Sequence, residues 1–254
     1  MKAIKVVVEA PFGWHVRNPA TYRVERTYPI IPPTVIFGIV QNILYTSSHK
    51  TRYRDIIALG GFPRSNIGLS LDMERITKLK TRLERKKGKY RHVSDRHEVE
   101  VAHSGEIDSF LVVEDDSAAD AYTKLLQKRT GEVVLLTTNQ FPSIVREVSM
   151  QNVRLVKTNR LLFCLERKGW GLPFVLPLSY RFKKKHDYRA QQYHKVLLPF
   201  SPILGDKTIE RSEIVLANEI ESLEINGSYF DRELLQFCRN QWLDKNIEIV
   251  VGTV

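Results

Sequence analysis

Three prolines within five residues, Pro29, Pro32 and Pro33, stand immediately before an apolar run at helical spacing. Proline fixes φ and biases the residue before it towards extended backbone, so Tyr28 to Pro33 is held extended. Val35, Ile36, Ile39, Val40, Ile43 and Leu44 then recur at intervals of three and four, the pattern of an amphipathic helix laid on a sheet. Thr34 is the expected N-cap, and Gly38 the expected point of close helix-to-sheet approach. Such a lead-in acts as a bracket. It fixes where Arg17, Tyr22, Arg23 and Arg26 point.

The elements around this bracket repeat an order. Ala3 to Ala10 carries β-branched residues and reads as a central strand. After the helix, a short helical or turn segment around Tyr53 to Leu59 is stopped by "GGFPRSN". Ile67, Leu69, Leu71 and Met73 alternate as in a half-buried strand. Ten Lys or Arg lie between Arg75 and Arg96, and the arms around Lys86, Lys87, Gly88 and Lys89 read as a projecting hairpin. "GEIDSFLVVED" is a further strand. "DSAADAYTKLLQKRTG" is a helix with acids at its start, Lys128 and Arg129 near its end and Gly131 as its stop. "GEVVLLT" returns to strand.

Strand, helix, strand, twice over, predicts an α+β fold: a ferredoxin-like, RRM-related core with an inserted basic hairpin or thumb over residues 75–97. Residues 151–254 form a β-rich C-terminal half, with strands in "RLLFCLERKGWGLPFVLPLSYRFKKKHDYR" and "YHKVLLPF" around a basic turn. "FDRELLQFCRNQWLDK" reads as a helix. No linker or low-complexity tract interrupts the chain, so residues 1–254 are expected to form one domain.

Charge narrows the class of partner. With 39 Lys and Arg against 29 Asp and Glu, a formal charge of +10 and a pI near 9.6, the chain is biased towards a polyanion. Cys164 and Cys238 show no metal-ligand or disulfide spacing, which points to a reducing compartment. No apolar run approaches the ~20 residues of a membrane span. A cytoplasmic protein without membrane association, metal or cofactor is expected.

The opening strand with its arginine-containing loop, "RTYPIIPPTVIFGIVQNIL" and the later "LPLSYRF" resemble the Cas-five family of CRISPR-associated proteins, members of the repeat-associated mysterious protein superfamily. The aromatic, paired prolines, threonine and helix glycine arrive in family order within residues near 20 to 44. The resemblance implies a non-catalytic subunit of a type one RNA-guided surveillance (Cascade) complex that serves antiviral defence. It would grip the 5′ handle of crRNA and cap the backbone filament. Its implied partners are Cas-seven-like backbone subunits, a large Cas-eight-like subunit and, through the assembled complex, target DNA. A thumb in this family helps position the guide, and residues Lys78 to Arg96 match it by charge and position.

Candidate RNA contacts fall in three groups. Arg17, Tyr22, Arg23, Arg26 and Tyr28 could offer guanidinium groups to phosphates and rings to unstacked bases, or form a solvated loop with Tyr28 packed under the helix. Arg85, Lys86, Lys87, Lys89, Tyr90 and Arg91 could track phosphates, or be a solvated hairpin. Lys183, Lys184, Lys185, His186, Tyr188 and Arg189 pose the same alternatives. One branch of the family cuts precursor crRNA without metal, through groups that move a 2′-hydroxyl proton and steady the phosphorane. His15, Tyr45, His92, His97, His103, Lys185 and His186 are residue types for that work, but no trio among them is specific enough to name as catalytic. The alternatives are therefore a metal-independent endoribonuclease and an RRM-like RNA-binding protein outside CRISPR.

Overall fold

The computed structural model describes residues 1–18, 24–47, 56–79, 92–135, 141–182, 189–204 and 207–242. Along the first half run β1 (Lys2–Ala10), β2 (Val24–Glu25), α1 (Pro33–Ser47), β3 (Ile56–Pro63), β4 (Ile67–Leu79), β5 (His92–His103), β6 (Gly105–Val113), α2 (Asp116–Gln127), β7 (Val133–Leu135) and β8 (Pro142–Leu161). The second half adds β9 (Cys164–Leu165), β10 (Gly169–Trp170), β11 (Leu172–Phe182), β12 (Arg189–Leu198), β13 (Phe200–Leu204), β14 (Thr208–Arg211), β15 (Ile214–Ile225), β16 (Ser228–Asp231) and α3 (Arg232–Trp242).

Four of these strands define the fold. β1 is flanked by β6 and β8, and β3 lies beyond β6, all as antiparallel neighbours. In chain order these are the first, third, fourth and second strands of a β-α-β-β-α-β unit, so the sheet has the ferredoxin-like order fourth, first, third, second. Ile4, Val6, Val7 and Val8 of β1 are all buried, so both faces of this central strand are covered. α1 and α2 pack on this sheet.

Two expected strands occupy other places. The second core strand is β3, in the segment read as helical or turn, and its eight residues are all buried. The alternating Ile67 to Met73 segment belongs to β4, which pairs with β5 and β14 in a separate five-stranded sheet. The closing core strand is β8 rather than "GEVVLLT", of which Val133 to Leu135 makes only a short edge strand on β8.

Local signals at the helices also need correction. α1 starts at Pro33, not after Thr34: Val35 and Ile36 N–H both donate to Pro32 O, and proline suits the first helical position because its missing N–H has no intrahelical role there. Gly38 lies exposed, with nothing within 4 Å of where a Cβ would stand. It makes no close approach to the sheet. α2 follows its signals closely, with Asp115 as N-cap accepting from Ser117 N–H at 3.0 Å, Lys128 as C-cap and Gly131 at φ +84°.

β8 joins the two halves. Its residues 144–152 pair with β1 and its residues 153–161 with β15. An aromatic cluster reinforces the junction: Phe110 meets Phe230 at 5.0 Å between centroids, and Phe62 meets Phe163 at 5.4 Å. Each such pair contributes ~0.5–1.5 kcal/mol beyond its area burial. Among the described residues no helix is long and apolar enough to cross a membrane.

Candidate nucleic-acid interface

Two antiparallel hairpins carry the basic segments. β4 and β5 pair without interruption from Gly68 opposite His103 to Leu79 opposite His92. Arg75, Lys78 and Arg96 lie on those arms. β11 and β12 pair from Leu172 opposite Leu198 to Phe182 opposite Arg189. The segment 80–91, with Arg85, Lys86, Lys87, Lys89, Tyr90 and Arg91, lies outside the described residues, as do Lys183, Lys184, Lys185, His186 and Tyr188.

A third excursion is a narrow ribbon. Tyr28 N–H donates to Val16 O at 3.1 Å, Asn18 N–H to Arg26 O at 2.8 Å, and Val16 N–H to Thr27 Oγ1 at 2.9 Å. Residues 19–23, with Tyr22 and Arg23, are outside the described residues. Arg17 and Arg26 are exposed on its two arms. Arg17 lies 3.4 Å from Glu25, and its side chain keeps 63% of its surface exposed. Glu25 is the largely buried partner, at 19% exposure, but the guanidinium itself stays solvated and can also reach a phosphate.

Gly13 and Trp14 sit where these excursions meet. Trp14 is fully buried, and it exchanges both backbone hydrogen bonds with Ala102 of β5 at 2.9 Å each. Its Nε1–H donates to Tyr28 O at 3.0 Å. Tyr28 sets its ring edge-on to Phe174 of β11, centroids 5.7 Å apart. Two aromatic residues thus tie the base of the β4–β5 hairpin, the proline lead-in and the base of the β11–β12 hairpin into one joint. Gly13 makes the seam possible: its φ is +76°, and a Cβ there would stand 2.3 Å from Ala102 O.

Tyr28 leaves the RNA-contact set on this geometry. Only 1% of its surface is exposed, and burial, with Tyr193 nearby, pushes its hydroxyl well above the ordinary tyrosine range. The ring serves packing. Neither Trp14 nor Gly13 stood out in the sequence, where a single "GWH" after a strand has no period to mark it.

The residue types suited to RNA cutting do not converge among the described side chains. His15 is buried, with Nδ1 2.8 Å from Glu100 O and Nε2 3.8 Å from Glu25 Oε2. His103 pairs with Ser70 Oγ at 2.8 Å on the exposed side of the hairpin base. The side chains of Tyr45, His92 and His97, like Lys185 and His186, lie outside the described set. Cys164 and Cys238 are fully buried, and burial pushes both thiols up to about 12, where the nucleophilic thiolate is suppressed at neutral pH. Among the described residues no group of three or more His, Cys, Asp or Glu is placed to hold a metal ion.

No protein-family model and no curated protein matches the sequence. Among solved structures the chain is similar to a CRISPR protein from Archaeoglobus fulgidus, at 15% identity and a TM-score of 0.44, over 90% of this chain and 98% of that one. It is also similar to a chain of the Type III-B Cmr-beta complex bound to cognate target RNA, at 10% identity and a TM-score of 0.40, over 59% and 60%. A chain from the same complex with target RNA and AMPPnP aligns at 10% identity and a TM-score of 0.37, over 82% and 86%. These likenesses are loose, and the fold assignment rests on the strand order.

Proposed function

We propose that this chain is a non-catalytic, crRNA-binding subunit of an RNA-guided CRISPR complex of the type one, Cascade-like kind. The observation that carries the reading is the Trp14–Tyr28 joint, which anchors three arginine- and lysine-bearing excursions to one ferredoxin-like core. Single-stranded RNA is held by distributed phosphate contacts from rigidly based, basic elements, with bases left free to stack. Segment 80–91 alone holds seven Lys or Arg against Glu84, so much of the net +10 is concentrated in one short stretch of the chain. In this reading Arg17, Arg23 and Arg26 grip the 5′ handle, the β4–β5 hairpin acts as the thumb, and Lys183, Lys184, Lys185 and Arg189 form a second phosphate clamp. Cas-seven-like and Cas-eight-like subunits are the proposed neighbours in the complex.

Replacing Arg17 and Arg26 together with Ala tests this. Handle-RNA affinity is expected to fall, and the slope of log K against log salt to shrink by about 0.7 for each phosphate no longer neutralised. Both side chains are exposed, so the fold is expected to persist. An unchanged slope with unchanged affinity would make the ribbon a solvated loop.

A further inference from the structure

We infer that the outer edge of the large sheet carries a base-stacking platform for single-stranded RNA, centred on Trp170. β10 is the edge strand of that sheet, and its Trp170 stands directly opposite Val215 of β15, which stands opposite Arg160 of β8. Directly paired residues share a face, so these three side chains form one row across three strands. The row is open: Trp170 is 73% exposed, Val215 36%, and the Arg160 side chain 68%. Lys168, at the bend that leads into β10, continues the ladder by accepting from Ala217 N–H at 3.1 Å, which brings a second cationic residue next to the edge strand.

An exposed indole with a guanidinium in its row and a lysine just before it in the chain is an arrangement that takes a base on the ring and neighbouring phosphates on the cations. Charge complementarity decides for a polyanion over an apolar protein partner. The acid paired with Arg160 is Glu213, 3.4 Å away and with a side chain 63% exposed. A phosphate can displace so exposed a pair at little cost. Glu213 also lines a groove of about 650 Å³ with Arg64 and Arg211, in which Arg64 is already paired with Asp108 at 2.8 Å and with Glu106.

The platform rests on the reading of this chain as an RNA-binding protein and adds a site away from the Trp14–Tyr28 joint. Its test is a titration of the full chain with a short fluorescein-labelled single-stranded RNA and with the same sequence as a duplex. Trp170→Ala is expected to weaken single-strand binding roughly 5- to 150-fold, the range for removal of one stacked base, while Trp170→Phe retains most of it. Duplex binding is expected to stay unchanged, because paired bases offer no free face. Arg160→Ala is expected to lower the salt slope by about 0.7, whereas Trp170→Ala leaves it intact. Wild-type binding that Trp170→Ala does not alter would overturn the platform and leave the RNA-binding reading standing. Absence of wild-type binding to any RNA would overturn both. Loss of a protein partner from Trp170→Ala, with RNA affinity unchanged, would make β10 a protein-docking edge and likewise overturn the platform.

Discussion

A three-glycine series separates backbone conformation from close approach at the joint. Gly38 has no neighbour within 4 Å of a Cβ and sits inside α1. Gly38→Ala is therefore expected to stabilise the fold by about 0.5–1 kcal/mol through helix propensity and unfolded-state entropy. Gly105 has φ +72° and open space around its Cβ. Alanine there meets the left-handed penalty of about 1–2 kcal/mol, part of it offset by the entropy gain. Gly13 has φ +76° as well, but its Cβ would lie 2.3 Å from Ala102 O and 2.7 Å from His103 Nδ1. Alanine at Gly13 must also spread the seam in which Trp14 and Ala102 exchange two hydrogen bonds, a further ~2 kcal/mol if both break. The expected order in urea melts is Gly38→Ala above wild type, Gly105→Ala about 1 kcal/mol below it, and Gly13→Ala about 3–4 kcal/mol below it, at constant m. A Gly13→Ala variant no less stable than Gly105→Ala would refute the tight seam and with it the shared anchorage of the three excursions.

Replacing residues Arg85 to Arg91 by a short Gly-Ser turn is expected to leave the melting temperature nearly unchanged while impairing guide capture and assembly of the reconstituted complex; a large drop in melting temperature would make the segment part of the core. Precursor repeat RNA incubated with the chain in EDTA is expected to remain intact on a denaturing gel. A discrete cut that His186→Ala abolishes would replace the gripping role with endonuclease chemistry.

The elements with periodic signals are readable from the residues alone. α2 has acids at its start, cations near its end and a glycine stop; β1 and β6 carry β-branched or apolar runs; α3 shows its amphipathic spacing. β3 escapes such reading because a strand buried on both faces has no alternation, and Gly60 and Gly61 inside it look like a stop. The alternation of Ile67 to Met73 truthfully marks a half-buried strand, but alternation does not say which sheet a strand joins. β8 escapes because its second half mixes polar and apolar residues on a partly solvated ribbon. The candidate interface divides in the same way. Cationic segments are visible as composition, whereas Trp14, Trp170 and the burial of Tyr28 depend on partners distant in the chain.

The central place of β1 has a consequence during synthesis. Its partners begin at Gly105 and Ile144, so Ile4, Val6, Val7 and Val8 emerge from the ribosome long before any strand can cover them. At ~5–20 residues per second, about a hundred residues of delay leaves this β-branched segment unpaired for roughly 5–20 s. Such a stretch, rich in β-propensity and bordered only by Lys2, Lys5 and Glu9, is a template for pairing with other nascent chains.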